Sequence, residues 1–252
     1  KVLRRRRNRL ETQAEVIADP HRDRVAPPCP WTARCGGCVL QHLAPAAQRE
    51  LKRSRLAALL EEQGLAPPLR WLPDVLGPNG GYRHKARLGV RQVPGRQLMV
   101  GFREPASSRV AEVDACRILA PAVGERLAEL KALVASLTIA GAVPQLEIAC
   151  GKDDFAIILR HLQPLCDGDR ERLIDFAKIS GAQIYLQSSG PDSVIRLWPR
   201  TGAERLHYVL PAFALRFAFH PLDFVQVNPA INRQMVALAL DLLAPGPGDS
   251  VL

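Results

Sequence analysis

Three cysteines fall within ten residues, Cys29-Pro-Trp-Thr-Ala-Arg-Cys35-Gly-Gly-Cys38, in a chain of 252 residues that has six cysteines in all. The C-x5-C-x2-C spacing brings soft thiolate donors close together, and Gly36 and Gly37 let the backbone bend so that the sulfurs converge. A cubane iron–sulfur cluster needs four thiolates, so a distant cysteine has to complete the set. Cys116 is best placed, at the end of a basic hairpin in a polar segment. Cys150 ends an apolar run and reads as a buried structural thiol. A zinc site is the direct rival. His42 or His21 could complete a Cys3His set, although zinc sites more often show two C-x2-C knuckles and this chain has one. No Walker loop, G-x-G-x-x-G or G-x-S-x-G occurs, and none of the cysteines has a catalytic setting.

The elements that must position these cysteines follow from periodicity. Arg4 to Arg7 form a basic run, and Leu10, Thr12, Ala14 and Val16 alternate as a half-exposed strand does. Pro20, Pro27, Pro28 and Pro30 make residues 20–30 a linker. Pro45 suits the first turn of a helix running to Gln63 with Gly64 as its stop, in which Leu51, Ala58 and Leu59 face a core and Arg49, Lys52, Arg53 and Arg55 make a basic surface. Tyr82 to Arg91 alternates, with Tyr82, His84, Ala86, Leu88 and Val90 on one face and Arg83, Lys85, Arg87 and Arg91 near the other. With Gln97–Phe102 it forms a hairpin across Val93–Gly95.

A helix is expected from Pro121 to Leu137, paired strands at 145–149 and 155–159, and a second helix from Asp167 to Ser180. Short strands follow at 184–187, 194–198, 206–210 and 213–219. Strands interrupted by helices give an α+β fold. Asn228 and Pro229 cap a last helix whose apolar stripe is Ile231, Met235, Leu238 and Leu242. Gly246 to Leu252 reads as a turn entering a buried strand, so the sequence is expected to be a fragment.

Thirty-four Lys and Arg against 25 Asp and Glu give a net charge of +9, which favours an acidic partner, nucleic acid foremost, unless the whole proteome is basic. The N-terminus lacks the apolar core of a signal peptide and no apolar run is long enough to span a bilayer, so a reducing cytoplasm without a disulfide framework is the expected setting.

Five motifs then act together: Cys29-x5-Cys35-Gly-Gly-Cys38-x2-Gln41-His42, Tyr82-Arg83-x-Lys85-Ala86-Arg87-Leu88, Val100-Gly-Phe-Arg103, Cys116-x-Ile-Leu-Ala-Pro121 and Asp223-Phe-Val-Gln-Val-Asn228. In this order they resemble the bacterial RNA uracil-5-methyltransferases that carry a [4Fe-4S] cluster, specifically those acting on 23S rRNA. The resemblance implies Cys29, Cys35, Cys38 and Cys116 as cluster ligands, Gln226 as a contact to S-adenosylmethionine, and Phe224 near the target base. It divides the chain into the last strands of an OB-like TRAM barrel (1–22), the iron–sulfur segment (23–44), a central α+β RNA-binding domain (45–219) and the start of a truncated Rossmann-like methyltransferase domain (220–252). Arg4, Arg5, Arg6 and Arg7, with Arg83, Lys85 and Arg87, become RNA contacts.

For the complete protein the resemblance implies a cysteine thiolate that adds to C6 of a flipped uracil, so that C5 takes the methyl group and a carboxylate removes the C5 proton. That cysteine, the base and the glycine-rich cofactor loop are expected after residue 252, so this chain carries no catalytic residue and is inactive alone. A monomer without an obligate protein partner is implied. The alternatives from other classes are a metal-stabilised RNA-binding module without catalysis and a zinc-bound protein-interaction domain.

Overall fold

The computed structural model describes residues 2–6, 9–12, 16–66, 68, 70–93, 95 and 97–250. They fall into two compact units, residues 1–28 with 40–69 and residues 29–39 with 70–252. These units cut across the four segments implied by the resemblance, because the residues from Cys29 to Val39 group with the second.

In the first unit, β1 (Val2–Arg6) and β2 (Arg9–Thr12) form an antiparallel hairpin with Arg6 opposite Arg9. β2 covers the start of the expected Leu10–Val16 strand; 13–15 lie outside the described residues, and Val16 is exposed. The entry to α1 (Pro45–Glu62) is fixed by backbone bonds from Ala44 to Asp23 (2.8 Å) and from Val25 to His42 (2.9 Å). Pro45 opens the helix and Gly64, at φ +70°, follows its end, as the sequence indicates. The expected core face is corrected: α1 has no buried residue, and Leu51, Ala58 and Leu59 are exposed. Seven of its eighteen residues are charged and spread around the axis, which leaves no apolar stripe wide enough to bury.

The second unit is built on a six-stranded sheet in the order β4-β3-β5-β6-β7-β8, comprising β3 (Lys85–Arg91), β4 (Met99–Gly101), β5 (Gln145–Cys150), β6 (Phe155–Arg160), β7 (Gln183–Gln187) and β8 (Val194–Trp198). All neighbours are antiparallel except β6 and β7, whose connection runs through α4 (Asp167–Ser180). Strand alternation divides the buried residues between two faces. Leu88, Leu146, Ile148, Ile157, Leu159, Ile184 and Leu186 join Leu127, Leu130, Val134, Leu173 and Ala177 of the helices in the main core. On the other face Ala149, Ala156, Ile158 and Tyr185 pack with Leu206 and Phe219 of a hairpin, β9 (Leu206–Leu210) and β10 (Leu215–Phe219). The result is a mixed α/β fold.

Several expected bounds change. The strand of Tyr82–Arg91 begins at Lys85, and Tyr82 and His84 belong to the extended approach to it. The strand expected from Phe213 starts at Leu215, because Pro211–Phe213 form a 3-10 turn and Ala214 adopts φ +51°. The helix expected over 121–137 is two helices, α2 (Pro121–Gly124) and α3 (Leu127–Ser136). The break has a local cause. The Gly124 carbonyl accepts the Cys116 amide at 2.8 Å, and a Cβ at Gly124 would lie 2.4 Å from the Cys116 carbonyl oxygen. The chain turns there to seat the loop carrying Cys116.

The last helix, α5 (Pro229–Leu243), starts as expected, with the Asn228 side chain accepting the Ile231 amide at 3.1 Å. Its stripe is not buried: Met235 and Leu242 are exposed and Ile231 and Leu238 half-buried. No strand is present from 244 to 250, and Val251 and Leu252 lie outside the described residues.

Candidate functional site

Two features of the second unit carry chemistry. The first is the cysteine cluster. Cys29, Cys35, Cys38 and Cys116 are all half-buried free thiols. They feel one another electrostatically: burial, with the charges of Cys116, Cys38 and Cys29, pushes the Cys35 thiol up, and burial, with Cys38 and Cys29, pushes Cys116 up. Backbone amides face the sulfurs, Gly37 donating to Cys35 Sγ at 3.5 Å and residues 118–119 to Cys116. The two glycines serve a different end from the one expected. Neither has positive φ. Instead a Cβ at Gly36 would meet the Arg103 carbonyl oxygen at 2.7 Å and one at Gly37 the Phe102 ring at 2.9 Å, so the loop lies directly on the chain leaving β4.

The Cys116 side is equally determined. The carbonyls of Arg117 and Ile118 accept the amides of Gly81 and Arg83 (2.8 and 2.7 Å), lacing the Cys116 loop to the approach of β3. Among the described residues no group of three or more His, Cys, Asp or Glu side chains lies close enough to hold a single metal ion. His42 and His21 belong to the other unit. The donor chemistry, four half-buried thiols with backbone amides facing the sulfurs of Cys35 and Cys116, is of the kind that an iron–sulfur cluster takes.

The second feature is a cleft of about 210 Å³. His84, Cys150, Lys152, Tyr208, Phe224, Gln226, Asn232 and Arg233 are among its lining residues. Gln226 and Phe224, singled out from one motif, therefore share a cavity. Their segment is tied to β3: His84 donates its amide to the Val227 carbonyl at 2.8 Å, and the Lys85 ammonium donates to the Asp223 carbonyl. The Asp223 carboxylate accepts the His220 amide at 2.7 Å and Arg205 at 3.3 Å, fixing the turn before Phe224. Phe224 is 82% exposed and available to a ligand. Burial holds the His84 imidazole below the ordinary histidine range, so it lines the cleft as a neutral ring.

The other expected contacts separate. Arg83 is folded inward, its guanidinium 5.1 Å from the centre of the Phe102 ring and its Nε donating to the Lys85 carbonyl at 3.1 Å. Arg87 points outward but pairs with Glu147 at 2.9 Å. Arg4, Arg5 and Arg6 lie on β1, and Arg7 lies outside the described residues. Sequence reading did not select His84, Lys152, Tyr208, Asn232 or Arg233 as site residues. Asn232 and Arg233, one turn past the Asn228 cap, carried a positional signal, whereas Lys152 sits in a turn and carried none.

The chain resembles in fold the tRNA (uracil-54, C5)-methyltransferase of Pyrococcus abyssi, solved in complex with S-adenosyl-L-homocysteine, with a TM-score of 0.57 and 20% identity, over 84% of this chain and 52% of that one. In sequence the chain is 44% identical over 248 residues to the 23S rRNA (uracil(1939)-C(5))-methyltransferase RlmD of Alcanivorax borkumensis, and 45% identical over 251 residues to that of Bordetella pertussis. These alignments cover 98% and 99% of this chain but 56% and 54% of the relatives, so the chain spans about half the length of the curated relatives it matches. No family model matches the chain. By sequence the chain is similar to RNA uracil-C5-methyltransferases, and by fold to one of them. Among the described residues no helix is long and apolar enough to cross a membrane.

Proposed function

We propose that the protein methylates C5 of a uridine in 23S rRNA, with S-adenosylmethionine as methyl donor. The observation that carries this reading is the cleft that unites Gln226 and Phe224, in a chain 44–45% identical to enzymes named for that reaction. At about 210 Å³ the cleft is smaller than the usual ligand pocket, so it takes part of a ligand such as a base or a ribose. Gln226 binds the cofactor, and Phe224 offers an apolar face to the uracil. Neutral His84 donates or accepts a hydrogen bond there without adding charge. When bound, S-adenosylmethionine supplies an electrophilic methyl group for uracil C5, and the chain's own residues orient the base and exclude water from it.

A [4Fe-4S] cluster would be held by Cys29, Cys35, Cys38 and Cys116. It would staple the Cys29–Val39 segment to the Cys116 loop, with a structural rather than a redox role. The β1–β2 hairpin belongs to the end of a TRAM-type barrel, which gives Arg4, Arg5 and Arg6 an RNA-facing place. Residues 45–219 form the central domain and 220–252 the start of the methyltransferase domain, in a monomeric cytoplasmic protein.

The test is methyl transfer by the full-length protein to 23S rRNA from cells lacking its gene, with nucleoside analysis of the product. One 5-methyluridine per 23S rRNA is expected, and Gln226→Ala should raise the KM for S-adenosylmethionine at least tenfold. Transfer to tRNA alone, or a methyl group on another atom, overturns the reading.

A further inference from the structure

Two cations border the cleft, and each is tied to the same strand on opposite sides of one aromatic residue. Lys152 lies in the turn between β5 and β6, and its amide donates to the His207 carbonyl at 2.8 Å. Arg233 lies in the first turn of α5, and its Nε donates to the Val209 carbonyl at 3.3 Å. Tyr208, between those two anchor points, lines the cleft and stacks on Phe217 of β10 with ring centroids 5.0 Å apart and planes at 13°. The ring is therefore packed on its neighbour, the Arg233 guanidinium is anchored to the strand, and Lys152 is tied to the strand through its backbone, leaving its ammonium exposed.

An aromatic ring flanked on either side by a cation along one strand matches a single unstacked nucleotide, with a base that needs a π-face and a phosphate on each side that needs a positive partner. Other charges share the region. Asp153, 82% exposed, stands 4.0 Å from the Lys152 ammonium, while Asp154 faces His207 and Arg216. Arg233 also faces His84. The Arg233 guanidinium keeps further N–H donors beyond the one given to Val209.

We propose that Lys152 and Arg233 grip the two backbone phosphates that flank the nucleotide entering the cleft, with Tyr208 in contact with that nucleotide. This rests on the RNA-methylating reading and deepens it. The same cations would also suit an anionic group of the cofactor, its carboxylate, and the experiment separates the two sources.

The full-length protein is titrated with a 23S rRNA fragment that contains its methylated uridine. The fragment is used unmodified and with a neutral methylphosphonate at either phosphate next to that uridine. For the wild-type protein each methylphosphonate should weaken binding about tenfold and lower the slope of log K against log salt by about 1. Lys152→Ala and Arg233→Ala should each become insensitive to one methylphosphonate while keeping the penalty at the other. Lys178→Ala, on α4 and outside the cleft, should keep both penalties. A wild-type protein that shows no penalty at either methylphosphonate overturns the grip without any variant, so the proposal stays falsifiable if a variant fails to fold.

Equal penalties in wild type and both variants overturn the phosphate grip. So does a loss of S-adenosylmethionine affinity with RNA binding unchanged, which assigns the cations to the cofactor carboxylate. If the wild-type protein neither binds nor methylates the rRNA, the underlying function fails instead, and the two failures are distinct.

Discussion

Two residues show how burial sets chemistry here. Asp169, fully buried in the first turn of α4, accepts the Thr138 amide at 2.8 Å and the Thr138 hydroxyl at 2.6 Å, with Arg172 at 3.3 Å. Burial alone would push its pKa up, but these bonds outweigh it and hold the carboxyl below its ordinary range. Its stabilisation is therefore complete above the unfolded carboxylate pKa of about 4 and fades as the pH falls through the lower folded value. Asp169→Asn should cost roughly 1.5–3 kcal/mol at neutral pH and flatten the acid limb of the stability profile, read by urea unfolding between pH 7 and pH 2.5. Cys150 is the contrasting thiol. It is buried, pushed up to about 12 by desolvation, and not among the groups that interact with Cys35 or Cys116. Cys116→Ser should abolish stable iron loading, whereas Cys150→Ser should keep the iron and sulfide content of the wild type. Equal loss in both variants would remove Cys116 from the ligand set.

At the scale of elements, the breaks matter more than the runs. The gap between α2 and α3 and the contact of Gly36 and Gly37 with the end of β4 both exist to seat cysteines. Gly124→Ala places a methyl group against the Cys116 carbonyl oxygen, and the backbone has to shift to admit it. A loss of about 1–3 kcal/mol is expected, together with weaker iron retention, measured as iron remaining after gel filtration. Asn228→Ala removes the cap of α5 and should cost about 1 kcal/mol in thermal unfolding. Because the same turn carries Gln226, a higher KM for S-adenosylmethionine should accompany that loss, with little change in rRNA affinity at low salt.

For the molecule as a whole, a cluster held as proposed by Cys29, Cys35, Cys38 and Cys116 would cross-link the Cys29–Val39 segment to the loop that carries Cys116. Stripping iron with a chelator should free the Cys29–Val39 segment, so that trypsin cuts after exposed Arg34 faster than in the loaded protein, as read by mass spectrometry. The sequence alone determined most elements of the second unit. Gln145–Ala149 and Phe155–Leu159 are short, largely apolar runs either side of the polar turn at Gly151–Asp154, a local signal of paired strands, and Pro45, Asn228 and Gly64 act through backbone geometry within a few residues. The motifs also placed the four cysteines, Gln226 and Phe224 as residues of interest, because donor type and spacing are visible in one dimension. Tertiary structure decided the rest. The division of the 121–137 helix depends on a contact with Cys116, and the exposure of α1 depends on what surrounds it. That Arg83, an expected nucleic-acid contact, lies over the Phe102 ring is visible only in the fold. Lys152, Tyr208 and Arg233 are far apart in the chain and meet only because β9 lies between the β5–β6 turn and the first turn of α5, a proximity that no local pattern encodes.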